Sequence, residues 1–199
     1  MGFGRAQPCL RAGRTTYGRD LDPARVEQVV RQGGKTGTLA EIAPSLDVAV
    51  IVVMNAAQTN ELLNGTRGLL HGLKPGAVVM ACATVPPDFA REMEALCQAR
   101  GAHYLDAPIS GGAQKAAVGA LSIMASGSVD AFSAAEPVLA ATADSVFRLG
   151  DAAGPGSAMK AVNQLLAGVH IAAMAEALTF GMTQGVAPDQ FLEVISQCA

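Results

Sequence analysis

Aromatic side chains are scarce here, at 4% of residues, and tryptophan is absent. The apolar half of the sequence is therefore Ala, Val, Leu, Ile and Met, which suits helices packed on buried strands. A basic stripe is also missing: the net charge is −3 and Lys and Arg are scattered, which argues against nucleic acid as a partner. The four cysteines, Cys9, Cys82, Cys97 and Cys198, show no CxxC or Cys/His spacing. They read as free thiols of a reducing compartment, pointing to the cytoplasm. No uninterrupted apolar run reaches about 18 residues, so no membrane span is expected. The opening MGFGRAQPCLRAG lacks the apolar region of a signal peptide. His71, His103 and His170 are isolated and the acids show no ligand spacing, so no metal is expected.

What is present is a rhythm of short β-branched runs and amphipathic helical stretches over 199 residues, enough for one domain and part of another. The spacing predicts an extended segment at 15–17, then a helix opened by Pro23 and running to about Gln32, and a short helix over 39–46. DVAVIVVM (47–54) is continuous and apolar, as in a strand buried on both faces. A helix near 58–63, the strand AVVMACAT (77–84), a helix over 86–99 and a strand at 103–105 follow. Strands at 121–126 and 145–149 flank another helix. Strand–helix–strand at this rhythm means an α/β fold with a mostly parallel sheet covered on both sides. After Gly150 the pattern changes. DAAGPG (151–156) reads as a linker, 157–184 as one helix apolar on nearly every side and hence buried, and Pro188 opens a last helix that runs to the end of the chain. Two regions are thus expected, 1–150 and 151–199, the second all-helical.

A dinucleotide-binding domain of the Rossmann type normally opens with a strand, then G-x-G-x-x-G, then a helix. Here the chain enters its first helix directly, with Gly2 and Gly4 at the start, and reaches Asp20 where the ribose-binding carboxylate belongs. Gly2 is then the last glycine of the fingerprint. The fold class expected is a Rossmann-type α/β sheet lacking its first strand, followed by the start of an all-α domain. The chain is expected to be cut at both ends. The alternative at this point is a frayed helix with no ligand. Asp20 disfavours a 2′-phosphate and so favours NAD over NADP, although the adjacent Arg19 could bind that phosphate. Thr84 and Asn55 close buried strands on the carboxyl side, where ligands bind in open α/β sheets. The alternative for each is a capping side chain.

Several segments together carry a resemblance. Met1-Gly2 opening a helix that ends in Ala12-Gly13, DAPISGGAQKAAVGALSIMASG (106–127) and GPGSAMKAVNQLLAGVHIA (154–172) resemble, in order, motifs of the β-hydroxyacid dehydrogenases. This is the 3-hydroxyisobutyrate / 6-phosphogluconate dehydrogenase superfamily. Lys115, and Gln164 followed by LLAGVHIAA, look most like its L-threonate dehydrogenase branch.

The resemblance implies an NAD-dependent oxidation of a small hydroxy acid, with Lys160 as general base. A lysine acts as a base near neutrality only if burial or a nearby cation lowers its pKa from about 10.4. The alternative, a surface lysine near a helix start, is disfavoured by the helix dipole. Asn163 and Gln164, three and four residues on, share the lysine's side of the helix and could hold substrate or orient the base; otherwise they are satisfied within the bundle. Ser110, Gly111 and Gly112 correspond to the segment that holds the substrate carboxylate, although on sequence alone an ordinary tight loop serves as well. Lys115 is either a further cationic contact or a solvated lysine. Thr84 becomes a nicotinamide-side contact. The family's long helix implies a homo-oligomer for the full-length enzyme. Two other readings stay open: a reductase of a small aldehyde acid such as tartronate semialdehyde, and a non-catalytic Rossmann-type binding module or inactive fragment.

Overall fold

The computed structural model describes residues 1–198. They form two units, Met1–Lys160 and a second starting at Ala161. In the first, α1 (Gly2–Arg11), α2 (Pro23–Arg31) and α3 (Leu39–Ile42) precede β1 (Val48–Ile51) and α4 (Ala56–Asn64). Then come β2 (Val78–Ala81), α5 (Pro87–Gln98), β3 (His103–Asp106), β4 (Ile109–Ser110), α6 (Gly112–Val118), β5 (Leu121–Ala125), α7 (Val129–Thr142) and β6 (Ala143–Arg148). Helix α8 (Pro155–Thr183) begins in this unit and continues into the second, where α9 (Pro188–Cys198) follows.

Strands β1, β2 and β3 form parallel ladders in the order β1-β2-β3, with Val48 opposite Val78 and Val78 opposite His103. Strand β4 pairs antiparallel with β5, and β5 parallel with β6. An antiparallel bridge between Asp106 and Ser126 connects the two sets. The mostly parallel α/β fold expected from the sequence is what forms. The alternation of side chains explains why β2 is buried throughout. Val79 and Ala81 face one apolar cluster with Ile51, Leu63, Met93 and Tyr104. Val78 and Met80 face the other with Leu105, Ile123, Phe132 and Leu139.

Three expectations need correcting. Residues 15–17 form no strand; Tyr17 makes only an isolated parallel bridge to Lys35. A strand needs a partner on which to build a ladder, and the nearest edge, β1, lies across a cavity. The expected helix over 39–46 stops at Ile42 and finishes as a 3₁₀ turn containing Pro44. The long helix is not buried: Val162, Leu165, Leu166, Val169, Ile171 and Phe180 are exposed. Among the described residues of the second unit only α9 follows α8, and one neighbour cannot cover all sides of an apolar helix. By length and composition alone, α8 is also the one helix among the described residues that could cross a membrane, with mean hydropathy 1.5 over an 18-residue stretch. A search for uninterrupted apolar runs misses it because isolated polar residues interrupt the run. The last helix is described as far as Cys198; Ala199 lies outside the described residues.

Ile123 lies wholly inside the second cluster. Ile123→Ala is expected to lower stability by about 2–5 kcal/mol, read from the urea midpoint at unchanged slope. A loss below about 0.5 kcal/mol would contradict this core.

Candidate active site

Strand β3 ends on Asp106, a residue only 1% exposed. Its carboxylate collects donors from the start of α8. Oδ2 accepts from the Gly154 N–H at 3.0 Å and the Ser157 N–H at 2.8 Å. Oδ1 accepts from the Ser157 hydroxyl at 2.7 Å. The Ser126 hydroxyl donates to Oδ2 at 3.3 Å and accepts from the Gly156 N–H at 2.9 Å. Amides that a helix start leaves without intrahelical partners are thus satisfied by one anion and one hydroxyl. Close approach requires glycine: a Cβ on Gly156 would lie 2.6 Å from the Met124 carbonyl and 2.8 Å from that of Asp106. Glu94 on α5 accepts from the Ala153 N–H at 3.1 Å. The stretch read as a linker is therefore pinned to α5 and to β3.

Lys160 lies four residues beyond Gly156, on the same face of α8. It is 8% exposed, and its amine has no hydrogen bond or ion pair among the described residues. Burial lowers its pKa from the ordinary lysine value. The dipole contributes less than the sequence suggests. The helix starts at Pro155, so Lys160 is in its second turn, beyond the turn over which the dipole acts.

Ser110 pairs antiparallel with Ser122, a short ladder the sequence did not predict. Gly111 and Gly112 follow with φ of 129° and 74°, values at which a side chain is strained. A Cβ on Gly111 would lie 3.0 Å from both Cβ and Cδ of Lys115. The bare glycine lets the lysine stem lie over the turn, so the structure brings Ser110, Gly111, Gly112 and Lys115 together, a few residues after Asp106.

The nucleotide-side candidates sit elsewhere in the first unit. Gly2 opens α1, and a Cβ there would meet Val52 Cβ at 3.8 Å, so α1 starts beside the carboxyl end of β1. No side chain caps this helix start. Gly4 faces α6 instead, where a Cβ would come 3.1 Å from Ala116 Cβ. Asp20 is exposed; its Oδ1 accepts from the Asp22 N–H at 3.0 Å. Arg19 donates to the Gly37 carbonyl at 3.0 Å. Asn55 caps α4 through Gln58 N–H at 2.9 Å. Thr84 is exposed beyond the end of β2. Asn163 and Gln164 lie on α8 in the second unit. Among the described residues no cluster of His, Cys, Asp or Glu could hold a metal. Asp106, Ser126 and Ser157 went unrecognised in the sequence. The available signal was an acid inside the apolar run HYLDAP.

Comparison with known proteins matches residues 1–150 to the NAD binding domain of 6-phosphogluconate dehydrogenase. Residues 154–199 match the NAD-binding domain of NADP-dependent 3-hydroxyisobutyrate dehydrogenase. The chain is 46% identical over 200 residues to L-threonate dehydrogenase of Cupriavidus necator, covering 100% of this chain and 67% of that protein. It is 34% identical to 2-(hydroxymethyl)glutarate dehydrogenase of Eubacterium barkeri, over 99% of this chain and 65% of that one. A crystal structure of 3-hydroxyisobutyrate dehydrogenase from Salmonella typhimurium superposes with TM-score 0.92 at 43% identity, covering 98% of this chain and 69% of that one. The chain spans about two thirds of the length of these relatives.

Two outcomes follow from the geometry. Asp106→Ala is expected to cost about 3 kcal/mol or more in urea unfolding, because several buried donors lose their acceptor at once. Lys160→Met is expected to be more stable than the parent at pH 7, since the parent buries an ammonium. With its folded pKa depressed, the parent gains stability as pH rises from that value towards about 10.4, so the difference shrinks across that window. A gap in unfolding free energy independent of pH would contradict the burial of a charge.

Proposed function

The chain belongs to the NAD-dependent hydroxyacid dehydrogenases related to 6-phosphogluconate and 3-hydroxyisobutyrate dehydrogenases, and from that footing we propose that it supplies the site for oxidising the alcohol of a short sugar acid, L-threonate first among them. The observation that carries this reading is a lysine buried without a partner, one turn beyond a helix start that is clamped to the sheet.

The residues present fit a dinucleotide. The uncapped start of α1 beside the carboxyl end of β1 offers free N–H groups to a pyrophosphate. Asp20 keeps a carboxylate oxygen for ribose hydroxyls, and Arg19 is engaged with a backbone carbonyl, which favours NAD. When bound, the nicotinamide supplies the hydride acceptor. On the protein side, neutral Lys160 takes the hydroxyl proton at Nζ as the carbon–oxygen bond becomes a carbonyl, leaving an ammonium. The Ser110–Gly112 turn and Lys115 hold the substrate carboxylate, and this fixes the hydroxyl relative to the amine. Asn163 and Gln164 are assigned to orienting that amine or the substrate. A cytoplasmic setting agrees with relatives that are bacterial dehydrogenases. The exposed apolar sides of α8 suit a homo-oligomer.

The test follows NADH absorbance with L-threonate and a panel of three- and four-carbon hydroxy acids, alongside NAD and NADP titrations. Turnover with L-threonate, and a fall in kcat of about 10²–10⁴-fold in Lys160→Met with cofactor affinity kept within about twofold, is the expected result. NAD binding without turnover on any acid would favour the binding-module reading. Undiminished turnover in Lys160→Met would remove the lysine from the mechanism.

A further inference from the structure

The backbone entering α8 is held from a second side, by a charged row on α5. Asp88, Arg91 and Glu94 follow one another at three-residue spacing, so they are neighbours along one side of that helix. Both carboxylate oxygens of Glu94 accept from the Ala153 N–H, each at 3.1 Å. The Arg91 guanidinium lies over Gly154: a Cβ there would be 2.9 Å from Nε and 3.0 Å from both Cζ and Nη2. Near-equal distances to three atoms of a planar group mean that its face, not its edge, meets the glycine. Asp88 accepts from Arg91 Nη1 and so fixes the guanidinium. Ala153 is 2% exposed and Gly154 is buried, so water has little access to the Ala153 N–H in place of Glu94. Further along α8, the Lys160 amine has no hydrogen bond or ion pair among the described residues. Nothing polar fixes that amine directly. Its place is set by the course of the helix backbone.

We infer that Glu94 and Arg91 are positioning residues for Lys160: by holding Ala153 and Gly154 from α5, they set where the lysine enters the site and how deeply its amine is buried. A helix start held by the Asp106 carboxylate alone is free to pivot about it. An attachment on a different element removes that freedom, and a productive amine must stay within about 0.5 Å of its place. Charge supports the arrangement. The positive end of α8 favours an acid beside it, and Glu94 provides one. The same dipole disfavours Arg91, and the acids on either side of it along α5 offset this. The other titratable groups near Glu94 are Cys97 of α5 and Tyr104 of β3. Burial first, and then the Glu94 charge, push the Cys97 thiol up to about 12. Burial, and then the charge of Asp106 ahead of that of Glu94, raise Tyr104 as well. Both stay protonated at neutral pH, so neither changes the charge of the row. The bearing of the row on turnover rests on Lys160 being the proton acceptor, as proposed above; its bearing on burial does not.

The experiment compares Glu94→Leu, Glu94→Gln and Arg91→Lys with the parent chain. NMR of lysine-labelled protein gives the titration midpoint of the Lys160 amine, and NADH absorbance gives kcat and KM with L-threonate. Glu94→Leu is expected to raise the midpoint by about half a pH unit or more, towards the ordinary value of about 10.4, because a loosened α8 admits water to the amine. Loss of a negative charge would by itself lower the midpoint, so the direction separates positioning from simple electrostatics. kcat is expected to fall about 10- to 100-fold, with the KM for NAD kept within about twofold. Glu94→Gln keeps an acceptor oxygen without the charge and should restore most of both. Arg91→Lys keeps the charge, loses the planar face and should also raise the midpoint. It decides the matter where Glu94→Leu does not fold, since Arg91 is exposed. A merely structural role would lower the urea midpoint and leave the Lys160 titration unmoved in every variant; that result overturns the proposal, as does a Glu94→Gln variant no better than Glu94→Leu. Absence of turnover in the parent would remove the dehydrogenase reading, and the Lys160 midpoint alone would then decide the positioning role.

Discussion

The carboxylate of Asp106 is taken out of water at the end of β3, and that is costly unless donors replace the lost hydration. Gly154, Ser157 and Ser126 supply them from two other segments. The exchange works in both directions: a helix start also has amides without partners, and its positive end favours an anion. One buried group thereby ties β3, the strand end at Ser126 and the first turn of α8 into a single body. The glycine at 156 is part of the same constraint, because the helix backbone comes too close to two carbonyls for any side chain.

Lys160 inherits its position from that clamp. The amine is one turn further along a rigid element, on the face that Gly156 presses against the sheet. Burial without an opposite charge destabilises the ammonium, so the folding energy of the surroundings holds the lysine nearer to its neutral form. The same burial that weakens the fold slightly at neutral pH equips the group to accept a proton. In the glycine turn after β4, the segment proposed to hold the substrate carboxylate, positive φ values bend the chain back, and the missing Cβ at Gly111 lets Lys115 lie across it.

Much of this was legible in the residues. The β2 run is apolar on both faces, so period and flanking turns reveal a buried strand without reference to partners. Pro23 behind Asp22 and Pro188 mark helix starts by local chemistry. Lys160 and the Ser110–Gly112 turn were found through motif resemblance, since spacing alone leaves an ordinary loop as the simpler reading. What failed to show depends on long-range partners. Residues 15–17 have strand chemistry, yet only a neighbour can make them a strand. Whether α8 is buried depends on what packs against it, which its own composition does not encode. Asp106 looks like any strand-end acid until residues about 50 positions away arrive as donors. Gly4 reads as part of a nucleotide fingerprint, but the local reason for its lack of a side chain is contact with α6.

The account turns on Lys160 being held neutral more readily than a solvated lysine. With four lysines in the sequence, at positions 35, 74, 115 and 160, side-chain NMR of ¹³C,¹⁵N-lysine-labelled chain can follow each amine through a pH titration. The account predicts that one of the four signals, the one lost in Lys160→Met, titrates clearly below the ordinary lysine value of about 10.4. A Lys160 signal titrating at or above that value would contradict it.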